Sequence, residues 1–183
     1  MIRAQEGDEG AFRDLTHTVG PRLFSVAFSV LRERTLAEDA TQQALLRIWR
    51  KLPRLRDPAR FEAWAYRILV HACYAEAKRS PRWEQEQDTE APGVAVAADA
   101  FAAVAHRDQL ERGFRRLSVD HRAVIVLHHL LDLTLEQTAE ALGIPVGTVR
   151  SRLYHAMQGM RAALDADRRP AKRPAAAVPE VTR

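Results

Sequence analysis

Apolar residues recur at three- and four-residue intervals along most of the chain, and this spacing predicts helices rather than strands. The pattern predicts a first helix over Asp8–Val19. Because proline disrupts a helix interior, Gly20-Pro21 is expected to interrupt this helix, with a second one starting at Pro21.

Two further helices are predicted from their start signals. Thr35, followed three residues later by Glu38, has the form of a capping box and is expected to open a third helix. Asp57-Pro58 combines a capping residue with a proline for the first turn, and predicts a fourth helix that ends near Ser80. Since no segment alternates like a strand, the N-terminal half is predicted to be a helical bundle.

The helical period is lost over residues 81–105, where acidic and polar residues give way to Ala-Pro-Gly-Val-Ala-Val-Ala-Ala. This composition predicts a flexible linker. A helix from about His106 to Leu117 follows, Ser118 is placed to cap the next helix, and a helical hairpin completes the domain. The expected fold class is all-α, with two small helical domains joined by the linker; the chain divides into 1–80, 81–105, 106–166 and a disordered basic tail, 167–183.

The hairpin at 134–161 combines three signals of a helix-turn-helix. Ala139 is a small residue where two helices cross, and Gly143 tolerates the positive φ of a tight turn. Pro145 suits the first turn of a second helix, because no backbone N–H is needed there.

The second helix of the hairpin has two distinct faces. Its apolar stripe comprises Val149, Leu153, Ala156 and Met160. The opposite face presents hydrogen-bond donors and no carboxylate, as a helix that enters a DNA groove requires: Arg150, Ser151, Tyr154 and His155. Taken alone, this pattern is also compatible with an ordinary hairpin that has a solvated basic face.

The net charge of +4 is unevenly distributed. Residues 45–82 hold ten Lys or Arg against three acids, whereas 84–105 hold five acids and no Lys or Arg. Basic modules around an acidic connector favour a polyanionic partner.

Several other functions are not supported by the residues present. The single cysteine, Cys73, is expected to be a core residue and excludes a disulfide or a cysteine-based zinc site. Adjacent His128 and His129 point about 100° apart on a helix, so with His121 they are expected to bind no metal. No nucleophile–base pair or phosphate-binding glycine loop is present, so no enzyme, catalytic residue or cofactor is predicted. With no apolar run long enough to span a bilayer, the chain is expected to be cytoplasmic.

The wording Gly-Ile-Pro-Val-Gly-Thr-Val-Arg-Ser-Arg-Leu, at 143–153, closely resembles region 4 of the extracytoplasmic-function (ECF) sigma factors of the sigma-70 family. The resemblance implies that the helix at 146–161 enters the major groove of the −35 element. Arg150 and Ser151 would contact base edges, Tyr154 and His155 would lie alongside, and Thr148 would bind a phosphate. Arg152 has two possible roles, a phosphate contact or an internal ion pair.

The segment Ala-Glu-Asp-Ala-Thr-Gln-Gln-Ala-Leu-Leu-Arg-Ile-Trp-Arg, at 37–50, resembles the region 2 helix that docks on core RNA polymerase in the same family. Asp39, Gln42, Arg47 and Trp49 match the family pattern. Gln43 stands where glutamate is usual, which implies a weaker contact at this position of the polymerase-binding surface.

The segment Phe-Glu-Ala-Trp-Ala-Tyr-Arg-Ile, at 61–68, resembles the family helix that separates the strands at the −10 element. His71 and Ala75 depart from the asparagine and aspartate common there. Strand separation needs aromatic rings for stacking and cations for the exposed strand; an alternative is that Phe61, Trp64 and Tyr66 belong to the core. The implied −10 residues are Arg56, Arg60, Phe61, Trp64, Tyr66, Arg67, Lys78 and Arg79.

The two resemblances together imply a sigma factor. Its expected partners are core RNA polymerase, through the clamp helices and flap, and promoter DNA that is double-stranded at −35 and single-stranded at −10. An anti-sigma factor is also expected, without direct membrane insertion of the chain. Two alternatives are a helix-turn-helix regulator that does not dock on polymerase, and an adaptor that binds polymerase or a sigma factor without reading DNA.

Overall fold

The computed structural model describes residues 1–80 and 111–168, and all regular structure in these two stretches is helical. This confirms the all-α fold class. The predicted linker at 81–105 and residues 169 onwards lie outside the described residues, whereas residues 167 and 168, predicted to begin the disordered tail, belong to the last helix. The α-helices are α1 (Ile2–Gln5), α2 (Glu9–Leu31), α3 (Arg34–Lys51), α4 (Phe61–Arg79), α5 (Val119–Ile125), α6 (Leu135–Leu142) and α7 (Val146–Arg168), and residues 111–115, within the helix predicted over about 106–117, are also helical.

Helix α2 is continuous, so the predicted interruption at Gly20-Pro21 is wrong. Pro21 lies inside the helix, and both its side chain and that of His17, one turn earlier, are exposed. The carbonyl that loses its intrahelical partner can therefore be solvated by water, which lowers the penalty of an internal proline. Asp8 is the N-cap of α2, and its carboxylate accepts a hydrogen bond from the Ala11 backbone N–H at 2.9 Å.

The predicted capping box at Thr35 is also wrong, because the N-cap of α3 lies two residues earlier. Glu33 is the N-cap, and its carboxylate accepts hydrogen bonds from the backbone N–H groups of Thr35 and Leu36. Glu38 pairs instead with the Arg34 guanidinium at 2.8 Å. A charged acceptor two or three residues ahead of free N–H groups satisfies them directly, and this leaves Thr35 no capping role.

The start of α4 differs slightly from the prediction. Asp57 does act as a cap, accepting from Ala59 N–H at 3.0 Å, but it caps a 3₁₀ turn, Pro58–Arg60, which leads into α4 at Phe61. The predicted end of this helix near Ser80 is confirmed.

The helix-turn-helix is formed as predicted. The Ser118 side chain caps α5, which continues into a π-helical turn, Val126–Leu130. Thr134 and Gln137 form a complete capping box at the start of α6. Gly143 ends α6 in the left-handed conformation, with φ of 68°, and α7 follows Pro145.

The two glycines of this hairpin are expected to respond to alanine in opposite directions. Gly143→Ala should lower the free energy of unfolding by about 1 kcal/mol, because an L-residue is strained at positive φ. Gly147→Ala should raise it by about 0.5 kcal/mol, since a Cβ in this helical position meets nothing within 4 Å. Urea unfolding of both variants measures the two changes in the free energy of unfolding. Changes of the same sign would contradict the assignment of the turn.

The helices before and after the gap pack against each other. Buried apolar side chains from both described stretches form one continuous core, with α4 lying against α6 and α2 against α5. The fold therefore brings the helix-turn-helix beside the predicted −10 helix. Across 1–80 and 111–168, no helix combines the length and apolar character that a membrane span requires.

Candidate nucleic-acid interface

The outward face of α7 is open to solvent. Arg150, Ser151 and His155 are exposed, and Tyr154 is 62% exposed. The opposite side is buried, as predicted: Val149, Leu153, Ala156 and Met160. Helix α7 thus presents a row of hydrogen-bond donors on a rigid base, which is the arrangement that reads base edges in a major groove.

Ser151, a member of this row, and Arg152, beside it, are engaged within the protein. The Ser151 hydroxyl donates to the Thr148 carbonyl at 3.0 Å, and Thr148 itself is half-buried near the start of α7. Arg152 lies 2.9 Å from the Asp120 carboxylate. Of the two roles predicted for Arg152, the structure contains the internal ion pair, which joins α7 to α5.

A second candidate surface runs along one side of α4. We call it the α4 stripe; its members follow one another at intervals of four and three residues, which keeps them on one side of a helix. It comprises Arg60, Trp64, Arg67, His71, Tyr74 and Lys78, and all are exposed or half-buried. The preceding loop adds the exposed side chain of Arg56. The α4 stripe therefore combines cations with an accessible indole.

Two of the predicted −10 aromatics lie in the core instead of on this surface. Phe61 is 5% exposed and Tyr66 is 4% exposed. The Arg22 guanidinium lies 5.8 Å from the centre of the Tyr66 ring. Because both rings are buried, they would have to leave the core to stack on a base. The alternative prediction, that these two aromatic residues belong to the core, agrees with their positions. Trp64 is half-buried and remains at the surface.

The last turn of α4 carries the two remaining predicted −10 residues. Lys78 is exposed, whereas Arg79 pairs at 2.9 Å with the buried carboxylate of Glu76. Lys78 is therefore the more available cation at this end of the helix.

A third surface is an apolar groove between α2 and α3, with a volume of about 440 Å³. Leu46 projects from it with 57% of its surface exposed, and the rings of Phe12 and Trp49 lie 4.6 Å apart in its wall. Of the residues predicted to bind polymerase, Gln42 and Trp49 line this groove and Asp39 is exposed nearby on the same helix. We call this surface the docking groove; it is lined by Glu9, Phe12, Gln42, Leu45, Leu46 and Trp49.

Leu46 and Phe12 were not among the predicted site residues. The sequence contained a signal for Leu46, because this residue is not on the side of α3 that is buried. The buried residues of α3 are Ala37, Ala40, Thr41, Ala44 and Ile48. A large apolar residue outside the buried row of a helix indicates a contact with a partner.

Gln43 does not face outwards with its neighbours. Its side-chain amide donates to the Glu76 carboxylate in α4, and its carbonyl accepts a 3.4 Å hydrogen bond from Arg47. Because Glu76 is only 5% exposed, Gln43 satisfies a buried charge and ties α3 to α4.

Gln43→Glu is expected to lower the free energy of unfolding at pH 7 by about 1–3 kcal/mol, because it places a second carboxylate against the buried carboxylate of Glu76. Gln42→Glu, at the exposed neighbouring position, is the matched control and should change stability little. Urea titrations of both variants test this; equal losses in the two variants would contradict it.

The surroundings of Cys73 and His128 indicate structural roles for both side chains. Burial raises the pKa of the Cys73 thiol to about 12, so this side chain is an unreactive core residue, as predicted. His128 Nδ1 lies 2.7 Å from the Leu133 carbonyl. Within the described stretches, no three His, Cys, Asp or Glu side chains are grouped so as to hold a metal ion.

Two family models match successive parts of the chain. Sigma-70 region 2 matches residues 15–83, which include most of the docking groove and α4. Sigma-70, region 4 matches residues 107–160, which include the helix-turn-helix.

Individual relatives match along most of their length. The ECF RNA polymerase sigma factor SigM of Mycobacterium tuberculosis is 31% identical over 150 residues, covering 82% of this chain and 75% of SigM. SigW of Bacillus subtilis, also an ECF RNA polymerase sigma factor, is 24% identical, covering 87% of this chain and 91% of SigW.

Two solved structures share the fold over both domains. The sigma factor RpoE in complex with the anti-sigma factor NepR, from Bartonella quintana, matches with a TM-score of 0.63 and 25% identity, over 86% of this chain and 99% of RpoE. The structure of CnrH in complex with the cytosolic domain of CnrY matches with a TM-score of 0.61 and 25% identity, over 91% of this chain and 95% of the matched chain.

Proposed function

Since the chain belongs to the ECF RNA polymerase sigma factors, we propose that its three surfaces divide the family's task among them. A sigma factor directs RNA polymerase to specific promoters. In this chain, α7 would read the −35 element, the α4 stripe would bind the separated strand at −10, and the docking groove would hold core polymerase. The observation that carries the proposal is the outward face of α7 from Arg150 to His155, which is exposed and free of carboxylates.

At −35 the DNA is double-stranded, and the major groove presents acceptors that distinguish the base pairs. Arg150 is the principal reader, because a guanidinium can bind guanine with two hydrogen bonds. Ser151, Tyr154 and His155 extend the contact along α7. Thr148, at the N-terminal end of the helix, is placed to bind a phosphate where the backbone N–H groups and the helix dipole also attract one.

At −10 the DNA is single-stranded, so stacking and charge replace groove recognition. Trp64 supplies the accessible ring, and Arg56, Arg60 and Arg67 surround it with positive charge. Stacking of a base on an aromatic side chain contributes about 1–3 kcal/mol, which is comparable with the energy needed to extrude it. Lys78 would continue the contact with the strand towards the end of α4.

The docking groove is suited to a helical partner with apolar side chains. Exposed Leu46 and half-buried Trp49 provide a hydrophobic centre, and Asp39 and Gln42 provide a polar rim. An apolar centre with a polar rim is the usual construction of a protein interface. We assign this groove to the polymerase clamp helices, and the second domain to the flap.

The matched structures of RpoE and CnrH contain partner proteins, named in the first case as an anti-sigma factor. We propose that an anti-sigma factor also controls this chain. Because a sigma factor works on RNA polymerase, the place of action would be the bacterial cytoplasm.

In vitro transcription from pooled genomic fragments, with core polymerase plus or minus this chain, tests the proposal. We expect new transcripts with discrete starts only when the chain is present, and their upstream sequences define both promoter elements. DNA binding without polymerase binding would favour the alternative of a helix-turn-helix regulator. Polymerase binding without new starts would favour an adaptor.

A further inference from the structure

Helix α1 contacts the loop that connects α3 to α4, residues 52–60, which we call the α3–α4 loop. The Gln5 side-chain amide donates to the Leu55 backbone carbonyl at 2.8 Å and to the Leu52 carbonyl at 3.4 Å. Since both acceptors are carbonyl oxygens, only the nitrogen of the amide can make these contacts. One side chain of α1 therefore holds the main chain of a loop that lies 50 residues further along the sequence.

Helix α1 is itself attached to the rest of the first domain, which gives Gln5 a defined position. Ala4 is 1% exposed and belongs to the core. The Arg3 guanidinium pairs with the Asp8 carboxylate at 2.6 Å, and the Asp8 backbone N–H donates to the Arg3 carbonyl at 3.0 Å. Because Asp8 is the N-cap of α2, these contacts also join α1 to the next helix.

The main chain of the α3–α4 loop is held at three points. Near its start, the Leu55 N–H donates to the Leu52 carbonyl at 3.1 Å. Near its end, the Asp57 carboxylate accepts from the Ala59 N–H at 3.0 Å. Within residues 1–80 and 111–168, no backbone N–H donates to the Leu55 carbonyl, so the amide of Gln5 supplies the hydrogen bond that this carbonyl requires.

The peptide bond held by Gln5 leads directly to Arg56. The Leu55 carbonyl and the Arg56 N–H belong to one planar unit, so a hydrogen bond to the carbonyl restricts the direction in which Arg56 leaves the main chain. Arg56 is exposed and lines a cleft of about 330 Å³ that also contains Trp64. Arg60, at the end of the loop, pairs with Glu140 of α6 at 3.1 Å, whereas Arg56 has no ion-pair partner in the described part of the chain.

We infer that Gln5 is a positioning residue for the −10 strand, because it holds the α3–α4 loop in the conformation that presents Arg56 to DNA. The inference rests on the proposed function of Arg56 and Trp64. A loop that is ordered before binding loses less conformational freedom when a strand binds, so its affinity is higher. Gln5 acts through the loop and makes no contact with DNA.

Two substitutions at Gln5 remove the hydrogen bonds and keep a side chain of similar length. Gln5→Met has no donor. Gln5→Glu presents a carboxylate, which accepts hydrogen bonds but cannot donate them, to two carbonyl oxygens. Thr18→Glu, at an exposed position of α2 outside the loop, makes the same change in net charge as Gln5→Glu and is the matched control. Circular dichroism should show equal helicity in all variants.

The first readout is hydrogen exchange of the Leu55 amide, which is bonded within the turn that Gln5 holds. In both Gln5 variants this amide should exchange at least about fivefold faster than in the parent chain. The Ala44 amide, in the buried part of α3, should exchange at the parent rate, as should both amides in Thr18→Glu. An unchanged Leu55 rate, or equal acceleration at Ala44, would overturn the inference, because the loop would then not depend specifically on Gln5.

The second readout is DNA binding by core polymerase reconstituted with each variant. One probe is a −35 duplex from a mapped promoter, and the other is the same duplex extended by the −10 element as a single strand. Both Gln5 variants should bind the extended probe about three- to tenfold more weakly than the parent, because a smaller fraction of molecules has the loop in place. Thr18→Glu should match the parent.

The duplex probe distinguishes a positioning role from a general loss of stability. All four chains should bind it equally, since α7 lies outside the α3–α4 loop. Equal losses on both probes would indicate a merely structural role for Gln5, and no loss on the extended probe would show that the loop needs no help from α1. Either result would overturn the inference.

The proposed function is judged from the parent chain alone. If the parent binds the extended probe more tightly than the duplex probe and the Gln5 variants match it, the −10 surface stands and the positioning role of Gln5 fails. If the parent gains no affinity from the single strand, the proposed −10 surface fails, and the positioning role fails with it.

Discussion

Leu46→Asp is expected to weaken binding to core RNA polymerase by at least about tenfold, the loss that follows from burying a carboxylate in an apolar interface without a partner. Leu46 is 57% exposed in the free chain, so the substitution should leave the free energy of unfolding almost unchanged. Titration of fluorescently labelled core polymerase with the variant gives the dissociation constant, and urea unfolding gives the stability.

The control for this experiment is Ile2→Asp. Ile2 is 69% exposed and lies outside the docking groove, so an aspartate there changes charge and surface polarity to the same extent. Polymerase affinity should be retained in this variant. Equal losses in both variants, or none in Leu46→Asp, would remove the docking groove from the polymerase interface.

Arg150→Ala is expected to lower affinity for the −35 duplex by about 5- to 150-fold, corresponding to the roughly 1–3 kcal/mol of an arginine–guanine pair. Initiation from −35-dependent promoters should fall with it. The loss should be much smaller on a scrambled duplex, because the contact is made to a base. Fluorescence anisotropy with the two duplexes, one taken from the mapped promoters, measures the difference.

Arg161→Ala provides the comparison on the same helix. Arg161 is exposed eleven residues further along α7, about 16 Å away and on nearly the same side. Any contact it makes with phosphate is independent of sequence, so its loss should be equal on both duplexes. If Arg150→Ala also weakened both duplexes equally, Arg150 would be a phosphate contact and the reading residue would lie elsewhere on α7.

Local signals in the sequence were sufficient to predict much of this fold. The apolar period of α7 correctly separated Val149 and Leu153 from Arg150 and Tyr154, because a single helix determines which side each residue takes. Gly143 was predicted to end its helix for a reason of backbone geometry alone, and its φ of 68° agrees. Such features depend on residues within one or two turns, which a sequence displays directly.

The errors arose where two local signals compete. Pro21 was expected to end a helix, but apolar residues on both sides of it, partly buried before the proline and fully buried after it, pack on the same core, and this packing outweighs one missing hydrogen bond. Thr35 and Glu38 have the spacing of a capping box, yet Glu33 offers a charged acceptor to the Thr35 and Leu36 N–H groups, so the helix starts earlier. In both cases the outcome depended on which of two competing interactions is stronger, and residue spacing does not reveal this.

The long-range contacts had no signal in the sequence. Arg60 and Glu140 are 80 residues apart, and Asp120 meets Arg152 only because α5 lies beside α7. The burial of Tyr66 likewise depends on how α4 rotates against its neighbours, so an aromatic residue at this spacing was compatible with either a surface or a core position. These features require the assembled fold.

The proline within α2 divides that helix into two parts with different local stability. Because Pro21 has no N–H, the backbone ladder lacks one bond at this point, and each half depends on its own side-chain packing. All the buried side chains of α2 lie after the proline: Leu23, Val26, Ala27, Val30 and Leu31. In native-state hydrogen exchange, amides before Pro21 should open by a low-energy local fluctuation, and those after it should exchange only when the core unfolds. The wall of the docking groove that holds Phe12 belongs to the first part, so a partner bound there should slow exchange in the half of α2 that is least protected in the free chain.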